Sequence, residues 1–212
     1  WRFLYRFVLF PLFMLTIIAL AVFSKKIRKG FFGRLSSRVK INDFISKSDN
    51  KDIYWFHAAS LGEYEQIKPV LTGLKEVEPD SLFMLSFFSP SGFDYVKDHD
   101  IDCKIYLPFD FKWIVRLYLR KINPRKLILA GYDVWPNLIW VAKDLNIHTV
   151  LFAARFSKKS TKMYPLIKMF YRNIYNSFSA IYTITDADSE QLKLIVGKNT
   201  PSRLRTLGNP RY

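Results

Sequence analysis

The sequence predicts an α/β domain on a mostly parallel sheet with helices on both faces, preceded by a hydrophobic N-terminal helix. Three observations lead there. After residue 50, short apolar runs alternate with amphipathic segments six times. The runs are apolar throughout, as expected of strands covered on both sides. Regular alternation also supplies the crossover helices that parallel neighbours require.

The first element is "FVLFPLFMLTIIALAVF", Phe7 to Phe23, which carries no charge for 17 residues. At ~1.5 Å per residue it approaches the thickness of a bilayer's hydrocarbon core. Arg2 and Arg6 precede it, and Lys25, Lys26, Arg28, Lys29, Arg34, Arg38 and Lys40 follow with no acid among them. The heavier basic flank places the rest of the chain in the cytosol. A spanning helix and a monotopic helix both fit, the second favoured by the short run and by Pro11. A cleaved signal peptide, with Ala19-Leu20-Ala21 as its small-x-small site, is opposed by the basic stretch behind it. A buried core helix leaves the flanking charges unexplained. The basic segment reads as a linker beside anionic headgroups, so residues 1–50 are assigned to an anchor and linker, and 51–212 to the folded domain.

Strands are expected at 53–58, 82–87, 104–108, 126–130, 148–153 and 180–184. Helices are expected near 63–78, 91–98, 111–122, 135–145, 161–177 and 186–196. In open parallel sheets, ligands bind outside the carboxyl ends of the strands. The loops there read "HAASLGE", "FSPSGF", "PFD", "GYDVWPN" and "AARFSKKS". Their small and hydroxyl residues leave room for an anion at a helix N-terminus.

Of 212 residues, 33 are Lys or Arg and 18 Asp or Glu, a net charge of +15 that favours anionic partners. The single cysteine, Cys103, excludes an internal disulfide. His57, His99 and His148 lack metal-motif spacing, so no metal site is expected. No nucleic-acid motif accompanies the positive charge.

"WFHAASLGE", "SPSGFDYV", "YLPFD", "DVWPNLI" with "AARFSKKS", and "LGNPRY" occur in that order between Ile53 and Arg211. Together they resemble the N-terminal half of the 3-deoxy-D-manno-octulosonic acid (Kdo) transferases. The resemblance implies a GT-B glycosyltransferase with two Rossmann-like domains, of which this is the acceptor-side one. It further implies transfer of Kdo from CMP-Kdo to a lipid A precursor in lipopolysaccharide biosynthesis, without metal or cofactor, on the cytoplasmic face of the bacterial inner membrane. CMP-Kdo would be held by a C-terminal domain absent from this chain, which is expected to be inactive alone.

The family's base, the glutamate of Ser-x-Gly-Glu, is Glu63 here. Asp133 stands where a second acid, more usually Glu, precedes Trp-Pro-Asn. Gly131 stands where many members have another acid. The Asn-Ala-Arg-x-Ser pattern becomes Ala153-Ala154-Arg155-Phe156-Ser157. Trp135, Asn137, Arg155 and Ser157 are thereby candidate substrate-binding residues. Ser60, Gly62, Ser91 and Gly92 join them as small residues allowing close backbone approach.

A base at Glu63 would take the proton of the attacking sugar hydroxyl, worth about 10²–10⁴-fold. Its place in a helix's first turn favours the ionised form. The local alternative is a capping box, with Ser60 as cap and Glu63 as its third-position partner. Lys112, Arg116, Arg120, Lys121, Arg125 and Lys126, then Arg155, Lys158, Lys159, Lys162, Lys168 and Arg172, form two acid-free cationic stretches. They suit acceptor phosphates or inner-leaflet anionic lipid, or are solvated faces. Residues 31–32 and 163–171 suit acyl chains or core. Two other functions remain: a noncatalytic basic module binding anionic lipid, and a GT-B glycosyltransferase with another lipid acceptor.

Overall fold

A computed structural model describes residues 1–131, 133–156, 161–197 and 204–211. The chain opens with helix α1 (Arg2–Phe23). Pro11 neither breaks nor ends it. A π-turn at Tyr5–Leu9, just before the proline, absorbs the missing donor and the crowded carbonyl.

Residues 25–46 are not a linker. They form α2 (Lys25–Ser46), capped by the Ser24 side chain, which accepts from the Ile27 amide. Gly30, Ser37, Ile41 and Phe44 are its buried positions. Small residues let it lie close on the sheet edge: a Cβ at Gly33 would fall 2.4 Å from the Tyr106 ring. Ser37 Oγ accepts the Tyr106 amide at 3.1 Å, satisfying an edge-strand donor.

Seven parallel strands follow: β1 (Ile53–Ala58), β2 (Leu82–Phe87), β3 (Cys103–Tyr106), β4 (Lys126–Ala130), β5 (His148–Ala154), β6 (Ala180–Thr183) and β7 (Leu204–Thr206). Their order is β3-β2-β1-β4-β5-β6-β7. Between them run α3 (Leu61–Val77), α4 (Pro90–Tyr95), α5 (Lys112–Ile122), α6 (Pro136–Asp144), α7 (Pro165–Tyr175) and α8 (Asp186–Val196). The expected strand at 104–108 sits one residue earlier and ends at Tyr106. The expected helix at 161–177 divides into a 3₁₀ turn, Thr161–Met163, and α7, because Pro165 starts a new helix. β7 was not expected.

Alternate residues of β1 feed two cores. Trp55 packs with Met84, Leu127, Leu151 and Ile181 on one face, while Tyr54 and Phe56 pack with Phe83, Leu85 and Ile128 on the other. Strand order reverses between β1 and β4, so a crevice opens where their carboxyl ends diverge. Glu63 meets Gly131 and senses the charge of Asp133 across it.

Candidate active site

Ser60 occupies the N-cap of α3 in extended conformation, but its side chain makes no capping bond. The capping box is therefore absent. Glu63 instead turns its carboxylate back on the preceding loop, where Oε2 accepts the Ala59 amide at 2.5 Å. Glu63 is 8% exposed. Its other oxygen lies against the backbone of Gly131, at the end of β4: a Cβ there would be 2.8 Å from Oε1. Gly131 also has φ +79, in the left-handed region glycine favours. A bare backbone at 131 thus makes the chamber for the Glu63 carboxyl.

The helix terminus does not keep Glu63 at ordinary acidity, as the sequence suggested. Burial raises its pKa to about 7, the Ala59 bond opposes the rise, and the nearby Asp133 charge adds to it. A carboxylate balanced near neutrality is a stronger base than an exposed one.

Asp133 is exposed by surface area, yet enough protein surrounds its carboxyl to raise its pKa; the positive charge of Lys162 works against that rise. Lys162 is partly buried rather than on a solvated face. Its Nζ donates to Tyr175 Oη at 2.8 Å and stands 4.6 Å from the centre of the Tyr171 ring. Burial lowers its pKa to about 8, and Asp133 partly restores it. Glu63, Asp133 and Lys162 thus form an electrostatically linked set at the switch point. In sequence Lys162 is one of a run of cations, and nothing there singles it out, because its aromatic surroundings come from α7.

Other candidates are placed differently. Asn137 is buried, with Nδ2 donating to the Asp110 carbonyl at 2.6 Å and Oδ1 accepting from Arg6 Nε at 2.9 Å. Its side chain ties the loop after β3 to α1. Asp110 was also missed. Its carboxylate accepts the Asn137 amide at 2.9 Å and the Leu138 amide at 2.8 Å, so the N-terminus of α6 is closed by a protein anion. Trp135 is partly buried, stacked on Phe88 at 4.7 Å. Gly92 serves packing between protein segments, since a Cβ would lie 2.4 Å from the Phe87 ring and 3.3 Å from the Leu61 amide. Ser91 Oγ is engaged by Ser89 Oγ at 2.8 Å. Gly62 is exposed and its carbonyl accepts from Arg211. Arg155 is exposed at the end of β5. Ser157 lies outside the described residues, as do Lys158 and Lys159. His57, beside this loop, is fully enclosed and lowered to about 3 by burial, hence neutral, with Nδ1 on Ser86.

Comparison with known proteins matches residues 32–212 to a family model described as 3-deoxy-D-manno-octulosonic-acid transferase (kdotransferase). A 3-deoxy-D-manno-octulosonic acid transferase of Haemophilus influenzae is 29% identical over 192 residues, covering 85% of this chain and 42% of that protein. One from Aquifex aeolicus is 31% identical over 123 residues, covering 56% and 34%. The chain thus spans less than half the length of these relatives. Among solved structures, a UDP-N-acetylglucosamine 2-epimerase superposes with TM-score 0.53 at 12% identity, covering 76% of this chain and 49% of the epimerase. The same enzyme of Neisseria meningitidis, bound to UDP-GlcNAc, gives TM-score 0.50 at 12% identity, covering 76% and 47%. At such identity these two share the fold alone.

Proposed function

This chain belongs to the 3-deoxy-D-manno-octulosonic acid transferase family, and from that membership we propose that it is the acceptor-binding half of a Kdo transferase with Glu63 as general base. The proposed reaction moves Kdo from CMP-Kdo to a sugar hydroxyl of a lipid A precursor. Glu63 takes the hydroxyl proton as oxygen bonds to the Kdo anomeric carbon. The bond from that carbon to the CMP phosphate breaks, and CMP leaves. The observation that supports this most directly is one buried carboxyl, raised to about 7, at the switch point between β1 and β4. Lys162 and Arg155 provide positive charge on the same rim for an anionic group of acceptor or donor.

The proposed membrane attachment is through α1. It is long and apolar enough to cross a membrane by length and composition. However, one face of its first half packs on the domain: Arg2 pairs with Asp144 at 3.0 Å, and Tyr5, Phe10 and Met14 are buried, while Phe3, Phe7 and Leu12 stay exposed. The residues after Met14 extend only ~14 Å, about half a hydrocarbon core. The proposed attachment is therefore monotopic, at the cytoplasmic face of the inner membrane. Single cysteines at Trp1 and Phe23 should react with an impermeant maleimide from the same side of vesicles; opposite sides would mean a spanning helix.

The activity test is incorporation of Kdo from CMP-Kdo into a tetra-acylated lipid A precursor by the full-length protein, beside Glu63→Gln. Transfer by the wild type and a loss of at least a hundredfold in the variant is expected. Equal turnover removes Glu63 as base.

A further inference from the structure

Between α1, α2 and the loops after β2, β3 and β4 lies an apolar cavity of about 160 Å³ that the candidate active site does not use. Phe13, Met14, Ile17, Ile27, Phe88 and Trp135 line it. Its size matches the ~150 Å³ cavities that stay dry and admit a six-carbon apolar guest.

One wall carries a cation. Arg34 is enclosed by Phe88, Tyr106 and Phe109, its guanidinium 4.5 Å from the Phe88 ring centre. It donates to the Gly30 carbonyl at 2.6 Å and the Phe88 carbonyl at 3.0 Å. Among the described residues no carboxylate forms an ion pair with it. Asp110 shares the cavity wall, but its oxygens are occupied by Tyr5, Asn137 and Leu138. Burial lowers the Arg34 pKa to about 10, the mark of a charge held without a counterion. An enclosed cation without an anion is costly, and a ligand anion offsets that cost. Lys26 adds a second positive charge to the lining.

The cavity thus joins an apolar chamber to an uncompensated cation. It adjoins the active-site rim through Ser89 and Trp135, and one wall is the helix whose outer face is exposed and apolar. We propose that it is a subsite for one acyl chain of the anionic glycolipid acceptor, with Arg34 meeting a phosphate of the same molecule. This rests on the acceptor reading above, and about six carbons of the chain fit inside.

The test uses the full-length protein in phosphatidylcholine nanodiscs with a bisphosphorylated, tetra-acylated glucosamine disaccharide carrying a diazirine at one acyl terminus. Photolabelled residues are mapped by peptide mass spectrometry. Labelling is expected at Phe13, Ile17, Ile27 or Trp135, falling at least tenfold in Ile27→Phe and in Ile17→Phe, which fill the cavity from different helices. Arg34→Gln should weaken labelling by the phosphorylated probe and leave a dephosphorylated probe unchanged. Labelling confined to outward residues such as Leu12 and Leu15, or unchanged in both filling variants, overturns the proposal. So does equal cavity labelling by a diazirine phosphatidylcholine, which would assign the chamber to bulk lipid. Labelling needs no turnover, so Glu63→Gln should label normally; failure of the transfer reaction and failure of the subsite are read separately.

Discussion

Replacing Glu63 by Gln should make the protein less active and more stable, and the second effect depends on pH. In the folded chain burial raises the Glu63 pKa from 4.5 to about 7. The sign follows: below pH 4.5 the carboxyl is neutral in folded and unfolded chains, and no penalty exists. Between 4.5 and 7 the unfolded chain releases its proton first, so stability falls as pH rises, and above about 7 the loss is complete. At about 1.4 kcal/mol per tenfold in proton affinity, the full loss is ~3 kcal/mol. Glutamine, like the neutral acid, escapes it; the Ala59 bond to the carboxylate is already part of the net rise. The expected net gain is ~3 kcal/mol at pH 8, a Tm rise of about 6–12 °C for a chain of this size, and no gain at pH 4.5. Thermal unfolding of both proteins across pH measures it. A Gln variant less stable than wild type at pH 8 would refute the reasoning, because Glu63 would then be an ionised capping residue rather than a carboxylate held ionised at a cost.

The same group sets the pH profile: kcat/KM should rise on an acid limb near 7, far above an ordinary glutamate, and fall on an alkaline limb near 8 as Lys162 deprotonates. Lys162→Met should remove the alkaline limb and keep the acid one. Gly131→Ala forces a Cβ to 2.8 Å from Glu63 Oε1 at φ +79; it should cost ~1–2 kcal/mol for the left-handed backbone and about a hundredfold in kcat from the displaced carboxyl, read by calorimetry and the transfer assay. Tyr5→Phe removes the 2.8 Å bond to Asp110 and should lower stability by ~1–2 kcal/mol. Asp110→Ala should cost more, since the Asn137 and Leu138 amides are then left buried without an acceptor; denaturant unfolding ranks the two.

Sequence defined the sheet best where apolar runs are long and sharply bounded. β1, β2 and β4 begin and end at the expected residues, and α8 does so because Thr185 and Asp188 close a capping box. β7 was invisible because it is three residues long with Arg205 and Thr206 exposed, giving no apolar run. α2 was hidden by its cations, and its contacts rest on Gly30, Gly33 and Ser37, which no hydrophobic period reveals. Glu63 was legible as an acid at a strand-to-helix turn, and Asp133 through the family resemblance, but not the acidity of Glu63. That is set by burial and by Gly131 across the crevice, which are tertiary facts. Lys162 looked like one of many surface cations until α7 surrounded it with Tyr171 and Tyr175. Asp110 was quoted within "YLPFD" without a role, because the amides it holds lie 27 residues further on.

That last contact links α1 to the candidate site. Asp110 holds the first turn of α6, and the segment entering this turn carries Asp133 and Trp135. The same carboxylate accepts from Tyr5 of α1, and Asn137 in that turn accepts from Arg6. Phe10 meets Phe111 edge-on at 4.8 Å, next to Asp110 in sequence. Helix α1 is therefore fastened, through polar bonds and ring packing, to the strand-end segment that faces Glu63. Buried, mutually satisfied polar groups resist sliding more than apolar contacts do, since any displacement leaves one unpaired. If α1 attaches to a membrane as proposed, Tyr5, Arg6 and Asp110 would set the height of the candidate site above it.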